Sequence, residues 1–283
     1  MPTGSFRFDF IPANAFSYQE LTEAYNSTRV DYIVPMPMNV DRLREYVETY
    51  DVDLAASAVA VDGNEILGLG MLGIRAGRAW ITRLGITRSN RRRGAGGALV
   101  DYLIEQARQK DKKYIVIEVI EDNVPAYSLF TKNGFKPTRD LLVLRRPPLA
   151  IEPPNPEIKF QTVEGAAVLA LLRARRTTPS WLDEYESLIN AGNLFGLEAT
   201  FPNGSHGWLV YQNTVFQLAR LVIQTERGDP VMVGRALLQK LHHTHAIKDT
   251  KTENLPADDP HWPAFQALDY MVSFRRNELK LQL

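Results

Sequence analysis

The stretch Arg91-Arg92-Arg93-Gly94-Ala95-Gly96-Gly97 has the residue types of a diphosphate cradle. It sits between an apolar run, Ala79 to Ile86, and a helix-like run that continues to Lys110. A helix start leaves several backbone N–H groups unpaired and carries about half a positive charge. Glycines there let phosphate oxygens approach the backbone, and arginines add forked donors to the same oxygens. No Lys-Ser or Lys-Thr follows the glycines, so the loop is not a Walker A loop; the first glycine of the dinucleotide fingerprint is also missing. A second cluster, His242, His243 and His245, has no carboxylate or cysteine at ligand spacing. Histidines near a helix C-terminus gain from its dipole without a metal, and no metal site is expected. Trp181, Trp208 and Trp262 read as core or interface anchors.

The loop needs a strand before it and a helix after it, and the flanking sequence supplies both. Phe6 to Ile11 alternates apolar and polar residues as a strand does. Ser17-Tyr18-Gln19-Glu20 is a capping box that opens a helix to about Ser27, and Asn39 caps a second helix through Tyr50. Leu54 to Val61 and Ile66 to Ile74 are strand-like and joined by the turn signal Asp62-Gly63-Asn64. The predicted order is β–α–α–β–β–β–α–β–α–β, ending near Leu141 to Arg145. The strand at Tyr114 to Ile120 returns through a helical crossover, so the sheet is mixed.

Composition narrows the function classes. The 283 residues fit one large or two ordinary domains. Lys+Arg and Asp+Glu both number 33, and a net charge of zero argues against a general nucleic-acid binder. With no cysteine there are no disulfides, thiolate zinc sites or Cys nucleophiles, which suits a reducing cytoplasm. No run is long and apolar enough to span a bilayer, and Met1 to Phe16 lacks the pattern of a signal peptide. A cytoplasmic protein with no membrane partner is the expectation.

Arg-x-x-Gly-x-Gly opening a helix resembles the acetyl-CoA signature of the GNAT N-acetyltransferases. After the next strand, Asn123-x-x-Ala126-x-x-Leu129-Phe130-x-x-x-Gly134-Phe135 is similar to that family's following motif. The two motifs stand in the family's order, and the resemblance covers roughly residues 5–146. It implies acetyl-CoA lying in a V between the splayed strands Ala79–Ile86 and Tyr114–Ile120. Leu84, Gly85 and Ile86 would pair with the pantetheine arm, with Gly85 permitting a bulge. Arg91 to Gly97 (Arg91, Arg92, Arg93, Gly94, Ala95, Gly96, Gly97) would hold the diphosphate, and a backbone N–H near Ile86 would meet the developing oxyanion. Asn123 would cap its helix and reach the cofactor; Gly134 would end that helix.

The implied reaction is transfer of an acetyl group to a primary amine on a small molecule or peptide. An alkyl ammonium must lose a proton before it attacks, so a base is needed. Glu118, on the second splayed strand, is the candidate, and its apolar neighbours would raise its pKa by partial burial. The family's usual proton-donating tyrosine is replaced by Phe130, which is still expected beside the cofactor. Three outcomes stand open: Tyr127, one turn earlier, substitutes; the thiolate leaves unassisted; or the domain binds CoA without turnover, as a sensor or scaffold. Tyr25, Tyr32 and Met36 fall where such domains shape the acceptor pocket, and ordinary loop packing explains them equally well.

The second half echoes the first. Arg83-Leu84-x-Ile86 recurs as Arg220-Leu221-x-Ile223, Gly97-Ala98-Leu99 as Gly234 to Leu238, and Pro125-Ala126-Tyr127 as Pro263-Ala264-Phe265. Five prolines between Arg145 and Glu157 read as a stiff linker. The expected division is residues 1–146, linker 147–157, and a second GNAT-like domain over 158–283. Each domain is expected as an α/β (α+β) fold: a mixed, mostly antiparallel twisted sheet with helices on both faces. The second copy has Gly228-Asp229-Pro230 where the first has its arginines, and is expected not to hold CoA. The halves are expected as a pseudo-dimer within a monomer, or in a homodimer.

Overall fold

In the computed structural model, which describes residues 8–91 and 94–283, the chain forms two compact units. One holds the residues up to Thr138 together with Asn277–Leu283; the other is Arg139–Arg276.

The first unit follows the predicted order. Strand β1 (Asp9–Pro12) leads to α1 (Tyr18–Ser27), which the Ser17–Glu20 capping box starts: Glu20 N donates to Ser17 Oγ at 3.2 Å and Ser17 N to Glu20 Oε2 at 2.7 Å. Helix α2 (Val40–Thr49) is capped by Asn39, whose Oδ1 accepts from Arg42 N. Then come β2 (Ala58–Asp62), β3 (Glu65–Arg75), β4 (Arg78–Ile86), α3 (Ala95–Gln109), β5 (Tyr114–Ile120) and α4 (Val124–Lys132). The β2–β3 hairpin turns on Gly63 at φ +57°. Strands β1 to β5 lie side by side in that order, antiparallel except for β4 with β5.

Alternation along β4 sends its residues to opposite faces. Ala79 and Ile81 join Val100, Leu103, Ile104, Ile117 and Phe130 in the core under α3 and α4. Trp80 and Thr82 meet Tyr46 of α2 on the other face, Trp80 with ring centroids 6.2 Å apart and Thr82 by a hydroxyl hydrogen bond.

Strand β6 (Lys136–Arg146) begins in the first unit and continues in the second. There follow β7 (Lys159–Val163), α5 (Ala166–Arg173), α6 (Tyr185–Ala191), β8 (Leu194–Thr200), β9 (His206–Asn213), β10 (Gln217–Arg227), α7 (Pro230–Thr244), β11 (Asp249–Pro256), α8 (Trp262–Gln266) and β12 (Met271–Gln282). Within the second unit the strand order is β6-β11-β10-β9-β8-β7. The parallel pair β10–β11 matches β4–β5 of the first unit.

These units depart from the division at 146 and 158 because two strands change hands. Leu142 and Leu144 of β6 are buried in the core of the second unit, and Leu279 of β12 in that of the first. The proline-rich stretch carries no helix or strand, but it packs within the second unit: Ile151 lies against that core, and Gln239 Nε2 donates to Glu152 O at 3.0 Å. Trp181 and Trp208 are buried core residues, as is His242, bonded to Tyr270 Oη at 2.9 Å. Among the described residues no group of His, Cys, Asp and Glu could hold a metal, and no helix is long and apolar enough to cross a membrane.

Candidate functional site

β4 and β5 pair only at Arg78↔Tyr114, Ala79↔Ile115 and Trp80↔Val116. Beyond Trp80 they part, while β4 stays on β3 through Leu69↔Gly85 and Gly68↔Ile86. The register with β3 slips between Thr82 and Gly85, and Arg83 in that slip takes φ +51°. A non-glycine residue in the left-handed region is strained and is held there by its surroundings. The bulge thus belongs to Arg83. Gly85, expected to permit it, serves a close approach instead: a Cβ there would lie 2.5 Å from Thr28 Oγ1. Beside it, Arg29 Nη2 donates to Leu84 O at 3.0 Å.

The basic loop follows. Arg91 grips Asp31 through two bonds of 2.6 and 2.8 Å, and its Nε donates to Ile86 O at 3.2 Å. The hydrogen bond from Arg91 holds the Asp31 carboxyl below the usual range. Arg92 and Arg93 lie outside the described residues. Gly94, at φ +89°, is the N-cap of α3 and offers no side-chain cap. Ala95, Gly96 and Gly97 form the first turn, and space is open in front of Gly97. The start of α3 is thus presented without an internal acceptor from a side chain.

Side chains of several elements gather near the strand opening. Arg83 joins α1, α2 and the segment between them: its guanidinium lies 4.1 Å from the Tyr46 ring centroid, and Nη1 donates to Tyr25 Oη at 3.3 Å and approaches Met36 Sδ at 3.6 Å. Tyr25 in turn donates to Met36 O at 3.0 Å. Burial, the largest cause, pushes the Tyr46 phenol above its ordinary pKa, and the neighbouring Arg83 works against that shift. Glu118, partly buried between Ile117 and Val119 on β5, lies close enough for its charge to act on the same phenol. Asn123 caps α4, accepting from Ala126 N at 3.3 Å, and its Nδ2 donates to Tyr32 Oη at 3.3 Å. Tyr25 and Met36 are therefore brought together with Glu118's neighbourhood, and Tyr32, bonded to Asn123, is joined to Tyr25 by Arg29, whose guanidinium lies 4.2 Å from the Tyr32 and 5.2 Å from the Tyr25 ring centroid.

Phe130 is 2% exposed and packs edge-on against Phe135 at 5.4 Å, in the core under α3 and α4. Tyr127, one turn earlier, is partly buried against that core. Gly134 ends α4 at φ +87°. Sequence reasoning missed Arg83, Tyr46, Thr82, Arg29 and Asp31. Arg83 alone left a trace, because its run recurs at Arg220.

The second unit has the same opening, differently finished. β10 and β11 pair only at Gln217↔Asp249, Leu218↔Thr250 and Ala219↔Lys251, and Arg220 is left-handed at φ +54°. Here Thr252 Oγ1 accepts from Leu221 N across the opening at 3.2 Å. The start of α7 is closed as well: Asp229 Oδ1 accepts from Met232 N at 2.7 Å, and Pro230 follows it.

Residues 19–135 match the acetyltransferase (GNAT) family model. No curated protein matches the chain. Among solved structures it is similar to a GCN5-related N-acetyltransferase from Sphaerobacter thermophilus, with 17% identity and a TM-score of 0.68 over 97% of this chain and 95% of that one. It is likewise similar to a tandem GNAT protein of the clavulanic acid biosynthesis pathway, with 16% identity and a TM-score of 0.65 over 98% of both chains. A glucosamine N-acetyltransferase region of a fungal multi-domain β-N-acetylglucosaminidase gives a TM-score of 0.74 at 13% identity, over 97% of this chain and 38% of that one. Residues 19–135 are therefore similar to the acetyltransferase (GNAT) family, and the chain has the fold of a tandem GNAT protein.

Proposed function

We propose that the first unit moves an acetyl group from acetyl-CoA to a primary amine of a small molecule or peptide, by direct attack of the amine on the thioester. The observation that carries this reading is the parting of β4 from β5 just before a helix start that no side chain caps. A pantetheine arm needs backbone groups released from a ladder, and a diphosphate needs unpaired N–H groups at a helix start. In this reading Leu84 to Ile86 meet the arm and Arg91 to Gly97 meet the diphosphate. The chain itself holds Leu84 O with Arg29, so cofactor entry along this edge displaces that guanidinium. Glu118 takes the ammonium proton, directly or through water. A backbone N–H near Ile86 faces the oxyanion. The acceptor enters from the side of Tyr25, Met36, Arg83 and Tyr46. The second unit, with its own Asp229 and Thr252 in the corresponding places, holds no CoA. A cysteine-free chain suits the cytoplasm.

Thiol release from acetyl-CoA across a panel of primary amines tests this, with turnover expected for at least one amine. A second reading rests on Phe130, a core residue at the position of the family's proton donor. Under it the unit binds acyl-CoA without transfer. Tight CoA binding with no thiol release for any amine selects that reading.

A further inference from the structure

Phe130 leaves the first unit without a hydroxyl at the position of the family's proton donor, and it lies in the core, 2% exposed. Tyr127, one turn earlier, packs against that same core. A hydroxyl stands at the start of α4 all the same. It belongs to Tyr32, in the segment between α1 and α2.

The Asn123 amide fixes what that hydroxyl does. Asn123 Oδ1 is taken by its own helix, accepting from Ala126 N at 3.3 Å. The amide is thereby oriented, and its Nδ2 is the end left to face Tyr32. Nδ2 donates to Tyr32 Oη at 3.3 Å, so the phenol oxygen accepts and keeps its own hydrogen for another partner. Among the described residues no acceptor takes that hydrogen. The neighbouring phenols are committed: Tyr25 Oη donates to Met36 O at 3.0 Å, and Tyr46 Oη is bonded to Thr82 Oγ1.

The Tyr32 ring is held as well. The Arg29 guanidinium lies 4.2 Å from its centroid, and Nη2 of the same residue reaches Leu84 O at 3.0 Å. Asp31, one residue before, is gripped by Arg91 at 2.6 Å. Tyr32 is thus tied to the start of α4, to the part of β4 that has left β5, and through Asp31 to the basic loop. These are the elements that the transferase reading sets around the thioester.

We propose that Tyr32 donates the proton to the leaving sulfur, in place of the tyrosine that Phe130 replaces. The proposal rests on the transferase reading. As the carbon–sulfur bond breaks, its electron pair goes to sulfur, and the Tyr32 O–H proton passes there to give the thiol. The ammonium sheds two protons on its way to an amide; one replaces the Tyr32 proton through water, and the other is released. Arg29, a cation on the ring face, offsets the charge left on the phenol oxygen in between.

The test removes the hydroxyl alone. Tyr32→Phe keeps the ring against Arg29 and is compared with the unaltered full chain by two readouts. The first needs no acceptor: the thiol of bound CoA is titrated by NMR, with a carbon-13 label next to the sulfur. A hydrogen bond donated to the thiolate favours it, so Tyr32→Phe should raise the thiol midpoint by about one pH unit. The second uses acetyl-CoA and an amine that turns over: kcat should fall by about 10²- to 10⁴-fold, with KM for acetyl-CoA changed less than about threefold. A thiol midpoint that does not move, or a kcat that survives Tyr32→Phe, overturns the proposal and leaves the transferase reading standing. Loss of kcat with Tyr127→Phe but not with Tyr32→Phe hands the role to Tyr127 and also overturns it. No turnover of any amine by the unaltered chain overturns the transferase reading, and Tyr32's role falls with it.

Discussion

The two units share a strand opening and a left-handed arginine, yet differ at every point where a nucleotide-like thioester would be held. In the first, α3 starts at Gly94 with no side-chain cap; in the second, Asp229 caps α7 and Pro230 removes a donor. In the first, an isoleucine, Ile117, stands one residue before Glu118; in the second, Thr252 stands one residue before Glu253 and its hydroxyl takes the Leu221 N–H. The second unit's own side chains take a backbone N–H in its opening and another at its helix start, whereas in the first the side chains of Arg29 and Arg91 take the carbonyls of Leu84 and Ile86. Arg220 and Glu253 hold the places in the second unit that Arg83 and Glu118 hold in the first.

The comparison can be broken from its strongest point downward. If Glu118 is the base, Glu118→Gln lowers turnover by about 10²- to 10⁴-fold with CoA affinity nearly intact. Collapse of CoA binding, with turnover per bound enzyme unchanged, would make Glu118 a structural residue. Asp183→Asn removes a destabilising charge. Burial, opposed by the charges of Arg175 and Arg220, raises the folded carboxyl from 3.8 to about 6, so the ionisation penalty is absent below the lower value and complete above the upper one. The substitution should then stabilise the second unit by about 3 kcal/mol at pH 7.5 and by almost nothing near pH 3.5. Denaturant melts at the two pH values check both. Ile117→Thr transplants the second unit's plug into the first and should weaken CoA by roughly tenfold, by analogy with one added internal hydrogen bond. Unchanged affinity would remove Thr252 from the explanation. Asp31→Asn frees Arg91 from an exposed pair, so its effect on CoA affinity should stay below about tenfold and shrink with salt.

The signals that sequence made legible are local ones. The Ser17 capping box, the Asn39 cap, the Gly63 turn and the α4 stop at Gly134 each depend on residues within a few positions. The repeat announced itself through Arg83 and Arg220 for the same reason, since a bulge needs a short run of residues around one strained position. Contacts across long chain separations were silent. Asp31 and Arg91 are 60 residues apart, and nothing in either segment names the other. Thr28 against Gly85 is of the same kind, and from its neighbours alone the glycine reads as a bulge former. The exchanged ends of β6 and β12 were also invisible, because an alternating apolar strand reads alike in either sheet.

Calorimetric titration of the full chain with coenzyme A tests the central claim most directly. One molecule should bind per chain, and Gly94→Asp, which puts a carboxylate at the start of α3, should abolish it. Two bound molecules, none, or one that survives Gly94→Asp would contradict the account.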